Sequence, residues 1–296
     1  MRQKFNFWRR GTKSLFFVAL VFILFNFGVC QAMQIIQIQP AKVRLSIVPG
    51  NTQTGLLKVY NYTNDTKYIK VYAEDWVYLA ACDGTKEFKR AGSTELSAAD
   101  WISFSPVEFE ISAYGMQLIN YSVRVPPDTK GGHYAVLFFE DKMGGKKEEI
   151  KGVSVSLAIR VGVLFYLESQ GTVERTARIE DLQISKKEDK FNLQLKFTNT
   201  GNVDLTTKSN FYIMDNKGMI YARGEFADVY TFPGNSTNLV AGWKEIIPKG
   251  KYDLVLSVDI GKALEEARMG RGPVITKETE IEIGENGEVI KVGEIN

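Results

Sequence analysis

The sequence predicts an all-β fold: two tandem immunoglobulin-like β-sandwich domains behind an N-terminal signal segment. Three observations predict it. Residues 101–140 alternate with period two. Val107, Phe109 and Ile111 oppose Glu108 and Glu110, and Ile119, Tyr121, Val123 and Val125 oppose Asn120, Ser122 and Arg124. Antiparallel strands with one wet face have this period. A Pro/Gly corner that leads through a tyrosine into an apolar strand occurs twice, at Pro127 to Tyr134 and at Pro248 to Tyr252. An immunoglobulin-like sandwich places a tyrosine there whose hydroxyl bonds backbone across the corner, so Tyr134 and Tyr252 are expected as structural tyrosine corners. Lastly, the start of the chain differs in composition from the rest.

Residues 1–32 read as a targeting segment. Arg2, Lys4, Arg9, Arg10 and Lys13 lead it without an acid, and an apolar run over residues 15–29 follows, broken only by Asn26 and Gly28. The run is shorter than the roughly 20 residues a spanning helix needs. Ala32 offers a cleavage position, so a cleaved secretory signal is expected, with an uncleaved anchor as the alternative. Residues 33–168 then form the first sandwich and residues 172–296 the second, with a polar tail. Without the segment's five bases the chain carries 37 − 5 = 32 basic residues against 35 acidic ones. The apparent basicity belongs to the segment, and no electrostatic footprint of a nucleic-acid binder is left.

In the first sandwich, Pro40 interrupts the opening strand and marks an edge or a switch between sheets. Pro49, Gly50 and Asn51 turn the chain, and strands at residues 57–60 and 67–78 flank the polar turn 61–65. Residues 83–100 read as a loop with a short helical turn near its end. Residues 134–139 are apolar on both faces and read as a central strand. Residues 142–151 form a polar loop, and residues 153–166 the last and longest strand, with Val153, Val155, Leu157, Ile159, Val161 and Val163 on one face. In the second sandwich, strands are expected at 179–184, 191–197, 211–214, 219–223, 238–246, 252–259 and 274–283. A hairpin turn falls at Asp215 to Gly218, and a short helix at 262–269.

The residues that chemistry would need are scarce. The chain has one histidine, His133, expected at a surface corner. Cys82, the only cysteine after residue 32, is expected as a small, partly buried strand-end residue that cannot pair within the chain. No multi-histidine or thiolate zinc set can be assembled from these, and no nucleophile elbow or phosphate loop occurs. Glu108/Glu110 and Glu280/Glu282 alternate on wet strand faces and fit a glycosidase pair poorly. No enzyme, cofactor or metal is expected. An exported tandem sandwich without catalytic groups points to binding or assembly.

Several motifs carry a family resemblance. Pro40-x-x-Val43-x-Leu45, Pro49-Gly50, Val59-x-Asn61 and Val71-x-x-x-Asp75-Trp76 resemble the first domain of PapD-like pilus-assembly chaperones. Trp101-Ile-x-Phe-Ser-Pro106, Val123-x-Val125-Pro126 and Gly132-x-Tyr134 continue the likeness over residues 35–166. The same motifs are similar to the first domain of WxL-interacting cell-surface proteins of Gram-positive bacteria. The chaperone resemblance implies two basic residues in the cleft between domains that hold a subunit's C-terminal carboxylate. It also implies a last strand that lends alternate apolar side chains to the subunit, a form of β-strand addition. Lys42 and Arg44 are the first-strand candidates, Arg160 is the last-strand candidate, and Val153, Val155 and Leu157 would be donated. One departure stands out. With Phe165-Tyr166 aligned to the family's aromatic pair, the lysine position falls on Val163, and Arg160 fits only after a shift of three residues.

The expected function is therefore a non-enzymatic, exported, chaperone-like protein of the periplasm or cell envelope. It would bind a pilin-like or other exported subunit by strand addition and touch a membrane only through an uncleaved N-terminal segment. The alternative is a structural or adhesive envelope module that binds wall polymer or another surface protein.

Overall fold

The computed structural model describes residues 36–141, 148–150, 153–155, 159–187 and 190–295. The targeting segment, Leu157 and most of the 142–151 loop lie outside the described residues. The first sandwich begins with β1 (Ile36–Gln39), β2 (Lys42–Ile47), β3 (Thr52–Asn61), β4 (Lys67–Tyr78) and β5 (Lys86–Lys89). It continues with β6 (Ile102–Ser105), β7 (Glu108–Ile111), β8 (Met116–Arg124) and β9 (Gly132–Asp141). A ribbon of β10 (Glu148–Ile150) and β11 (Val153–Val155) leads to β12 (Ile159–Ser169).

One sheet has the order β1-β3-β8-β6 and the other β2-β12-β9-β4-β5, with β7 also on β4. Proline marks both places where a strand changes sheet. Across Pro40, β1 pairs antiparallel with β3 while β2 pairs parallel with β12. Across Pro106, β6 pairs with β8 while β7 pairs with β4. Proline has no N–H to give a ladder, so pairing stops there and resumes on the other sheet. The 101–111 stretch is therefore two short strands.

Leu57 and Val59 of β3, Ile119 and Val123 of β8, Leu137 and Phe139 of β9, and Val163 and Phe165 of β12 are fully buried between the sheets. Each such side chain contributes about 1.5–3 kcal/mol of burial. β9 sits between β12 and β4, as its two apolar faces predict. Tyr134, Val136 and Phe138 occupy its second face and are also buried. What covers that face is described below.

Residues 156–158 lie outside the described residues, and the expected long final strand is described in two parts. β11 pairs with β10 as a separate antiparallel ribbon, and pairing with β9 begins only at Ile159, opposite Asp141.

The second sandwich comprises β13 (Ala177–Lys187), β14 (Lys190–Asn199), β15 (Leu205–Thr206), β16 (Lys208–Met214), β17 (Ile220–Glu225) and β18 (Tyr230–Thr231). β19 (Ser236–Trp243), β20 (Gly250–Asp259), α1 (Lys262–Glu266), β21 (Val274–Ile283) and β22 (Val289–Val292) follow. Its sheets run β13-β14-β19 and β17-β16-β20-β21-β22, with β15-β18 as a short pair. Leu193, Leu195, Phe197, Phe211, Ile213, Leu254 and Leu256 fill the space between them. The β16–β17 hairpin closes as expected: Asp215 Oδ1 accepts from the Lys217 and Met219 amides, and Gly218 takes φ of 81°.

Candidate functional site

β2, β12, β9, β4 and β5 place their outward side chains on one face, and the second sandwich covers part of it. Trp76, Tyr78, Tyr134 and Tyr166 form an aromatic cluster there, and Phe232 enters it from beyond β18. Phe232 lies 4.3 Å from the Tyr134 ring, stacked, and 5.1 Å from Trp76. Trp76 donates its indole N–H to Ala135 O at 3.1 Å. Beside it, the Asp75 carboxylate accepts from the Ser93 and Thr94 amides and from the Thr94 and Ser97 hydroxyls, which fixes the 90–97 loop. Aromatic pairs of this kind add about 0.5–1.5 kcal/mol each beyond their burial.

Arg44 lies against this cluster, 4.4 Å from the Tyr166 ring. Its guanidinium reaches Glu168 at 2.6 Å and both Asp204 oxygens, at 2.9 and 2.6 Å. Arg175 holds the other Glu168 oxygen. The Arg44 and Asp204 side chains are 3% and 0% exposed. Burial alone would lower the Arg44 pKa, but the Asp204 and Glu168 carboxylates outweigh it and hold the guanidinium charged, above its ordinary value. Arg44 thus binds carboxylates as its position suggested, but they belong to this chain.

Tyr134 departs from a tyrosine corner in the same way. Its hydroxyl accepts the Asp204 amide at 2.6 Å and lies 3.3 Å from Asp204 Oδ1, so it bonds backbone of the other sandwich. Tyr252 keeps the local form, its hydroxyl donating to Pro248 O at 2.9 Å. Cys82 also crosses over. The residues after β4 carry it, buried, into the core of the second sandwich, where Cys82 O accepts the Tyr230 amide at 2.8 Å. Burial pushes its thiol pKa up, as expected for an unreactive cysteine. His133 is half-buried on Trp101, with ring centroids 4.4 Å apart, rather than at the surface.

The open part of this face forms a cleft of about 360 Å³, lined by Lys42, Arg44, Tyr78, Lys86, Tyr166 and Tyr230 among others. Lys42 is half-exposed, 5.5 Å from the Tyr166 ring and 3.6 Å from Glu266 of α1. Lys86 of β5 faces it across the cleft, 5.4 Å from the Tyr78 ring. Burial, and then the charge of Lys42, hold Lys86 below the ordinary lysine pKa. Both ammonium groups line the cleft, and Lys86 also donates to Gly84 O at 2.7 Å. Sequence reasoning missed Lys86; its only signal was the polar, basic character of 83–100, which reads equally well as a solvated loop.

Arg160 is elsewhere. It lies six residues before Tyr166 on β12, or about 20 Å along the strand. There it bonds Glu74 at 2.9 Å and Tyr72 at 3.2 Å and covers the Phe138 ring at 3.9 Å. Lys42 and Arg44 share one site; Arg160 is not part of it. Val153 and Val155 belong to the β10–β11 ribbon, and Leu157 lies outside the described residues. Among the described residues no group of three or more His, Cys, Asp or Glu could hold a metal, and no helix is long and apolar enough to cross a membrane.

One edge near the cleft is open. β12 pairs with β9 from Ile159 to Glu168, but β2 covers its other side only from Leu164 to Ser169. Residues 159–163 thus have a strand on one side alone among the described residues.

No family model and no curated protein matches the chain. Among solved structures, it is similar to a chain from a chaperone–tip adhesin complex of CFA/I fimbriae biogenesis. The identity is 15% and the TM-score 0.46, over 81% of this chain and 97% of that one. The Salmonella enterica SafA pilin–SafB chaperone complex matches at 12% identity and a TM-score of 0.39, over 81% and 94%. The Pseudomonas aeruginosa CupB2 chaperone matches at 10% and 0.39, over 82% and 98%. At these identities and TM-scores the likeness adds no argument to the strand pairing described above.

Proposed function

We propose that this chain is an exported, non-enzymatic, chaperone-like protein that takes up an extended segment of a partner along residues 159–163 and holds its terminal carboxylate at Lys42 and Lys86. The open edge of β12 carries the reading. Five residues there offer about 16 Å of backbone with no strand on the second side among the described residues, and an edge of this kind is a template for strand addition. Direction supports it as well. β2 runs parallel to β12 and starts at Lys42, opposite Leu164. A partner strand that extends this parallel pairing onto residues 159–163 ends with its C-terminus at Lys42. Lys42 and Lys86 both line the cleft at that end.

The division of labour differs from that expected from sequence. Arg44 braces the two sandwiches, Lys42 and Lys86 remain for the partner, and Arg160 flanks the edge. A photo-crosslinking residue at Val161 in the full chain, expressed in its own cell, tests this. Adducts with an exported protein should form, and should be lost in the Lys42→Glu, Lys86→Glu double variant while its unfolding midpoint stays unchanged. Absence of adducts, or adducts indifferent to the double variant, would sink the proposal.

A further inference from the structure

Given Lys42 as the holder of the partner's carboxylate, a reading on which this depends, we infer that α1 is a latch over the cleft. Glu266 occupies Lys42 while the cleft is empty and yields it when the partner's terminus arrives. Glu266 Oε2 lies 3.6 Å from Lys42 Nζ, a carboxylate at the place proposed for the partner's own. α1 and the residues after it border two clefts that Lys42 also lines. Ala263 lines the one shared with Lys86, and Glu266, Ala267 and Arg268 line a second of about 570 Å³ together with Pro40 and Lys42. Pro40 is where β1 gives way to β2, so Glu266 stands where the partner strand would end.

The chain around α1 leaves its sheet through a narrow neck. β20 and β21 pair as far as Asp259 and Val274, and the Ile260 amide donates to Pro273 O at 3.0 Å. Beyond that stem the two arms touch: a Cβ added to Gly261 would collide with the Gly272 backbone. No residue of α1 is buried. Ion pairs tie it on both sides, Lys262 to Asp228 of the second sandwich and Glu266 to Lys42 of the first. The Lys42 and Glu266 side chains are 47% and 49% exposed, and an exposed pair shifts an equilibrium by at most about fivefold. An element with little buried apolar surface, held by exposed polar contacts, opens at small cost.

The charges suit an exchange of carboxylates. Glu266 Oε1 also lies 4.0 Å from Lys262 Nζ, one helical turn back, so a Glu266 that leaves Lys42 keeps a cation. A partner carboxylate at Lys42 meets the like charge of Glu266, and two carboxylates at one site repel. The partner's terminus therefore drives Glu266 off. A segment that pairs with residues 159–163 but brings no carboxylate to Lys42 leaves the latch shut, so the latch favours chains that end at the cleft.

The photo-crosslinking residue at Val161, in the full chain in its own cell, tests this with Glu266→Gln and, for comparison, Glu265→Gln. The second change removes the same charge from α1 but leaves the Glu266–Lys42 pair. Glu266→Gln should raise the adduct yield about two- to fivefold with an unchanged unfolding midpoint, and Glu265→Gln should leave the yield as in wild type. Equal yields in wild type and Glu266→Gln overturn the latch alone and leave strand uptake standing. An equal rise in both variants does the same, since it reports net charge. Adducts in none of the three overturn strand uptake and the latch with it.

Discussion

Replacing Arg44 with methionine should destabilise the protein by about 3 kcal/mol. Removing one member of a buried ion pair costs roughly 3–5 kcal/mol, because the other charge stays buried without compensation. Here the loss falls unevenly. Glu168 keeps Arg175, but Asp204, with 0% of its side chain exposed, keeps only the Tyr134 hydroxyl at 3.3 Å. Methionine fills much of the volume, so the cavity contribution is small and the figure falls at the low end of that range. Urea unfolding followed by tryptophan fluorescence reads both halves, since Trp76 lies in the cleft cluster and Trp243 in the second core. Adding Asp204→Asn to the variant removes the stranded charge and should recover most of the loss. A cost below about 1 kcal/mol, or no recovery on adding Asp204→Asn, would refute the reasoning that Arg44 is a brace.

Tyr134→Phe should cost about 1–2 kcal/mol by leaving the buried Asp204 amide without its acceptor, and Tyr252→Phe less, because water can reach Pro248; paired denaturation curves decide. Gly162→Ala should cost about 1–3 kcal/mol through overpacking, because an added methyl would sit 2.8 Å from Val136 Cγ2 and 3.0 Å from Phe138 Cε1; thermal unfolding measures it. His133 is pulled by burial from 6.5 to about 4, so it stays neutral in the folded state while the unfolded chain binds a proton below about pH 6.5. Stability should therefore fall by about 1–2 kcal/mol, after allowance for screening, as the pH drops from 6.5 towards 4, and level off below. His133→Gln should flatten that slope in a pH series of urea midpoints.

Local pattern made most of the strands legible. The period of two in β8 and the doubly apolar β9 reflect which faces meet water, and that information resides in consecutive residues. Pro40 was readable as a break between sheets for the same reason: its missing N–H is a local property. The break at Pro106 has the same cause, yet the unbroken alternation around it hid the switch. The candidate site was far less legible. Arg44 meets Asp204 across 160 residues, and Lys86 meets Lys42 only because two strands of one sheet face the same cleft. No spacing rule encodes such encounters. Tyr134 was recognised as a corner tyrosine from its local context, yet its hydroxyl partner is set by how the second sandwich docks. Val153 and Val155 have the strand character expected of them, but their partner, residues 148–150, follows from a chain reversal that local pattern does not encode.

The aromatic face shared by the two sandwiches has a consequence for the order of events during synthesis. The first sandwich is complete once residue 169 has emerged, but Phe232, which covers Trp76 and Tyr134, is 232 − 169 = 63 residues further on. At roughly 5–20 residues per second, that leaves a sticky surface of one tryptophan and three tyrosines uncovered for about 3–13 seconds. The cysteine-bearing loop after β4 meanwhile waits for a core that does not yet exist. Each nascent copy is thus open to association with its neighbours during this interval, and the yield of correctly joined molecules should depend on how crowded the emerging chains are as well as on the stability of the finished fold.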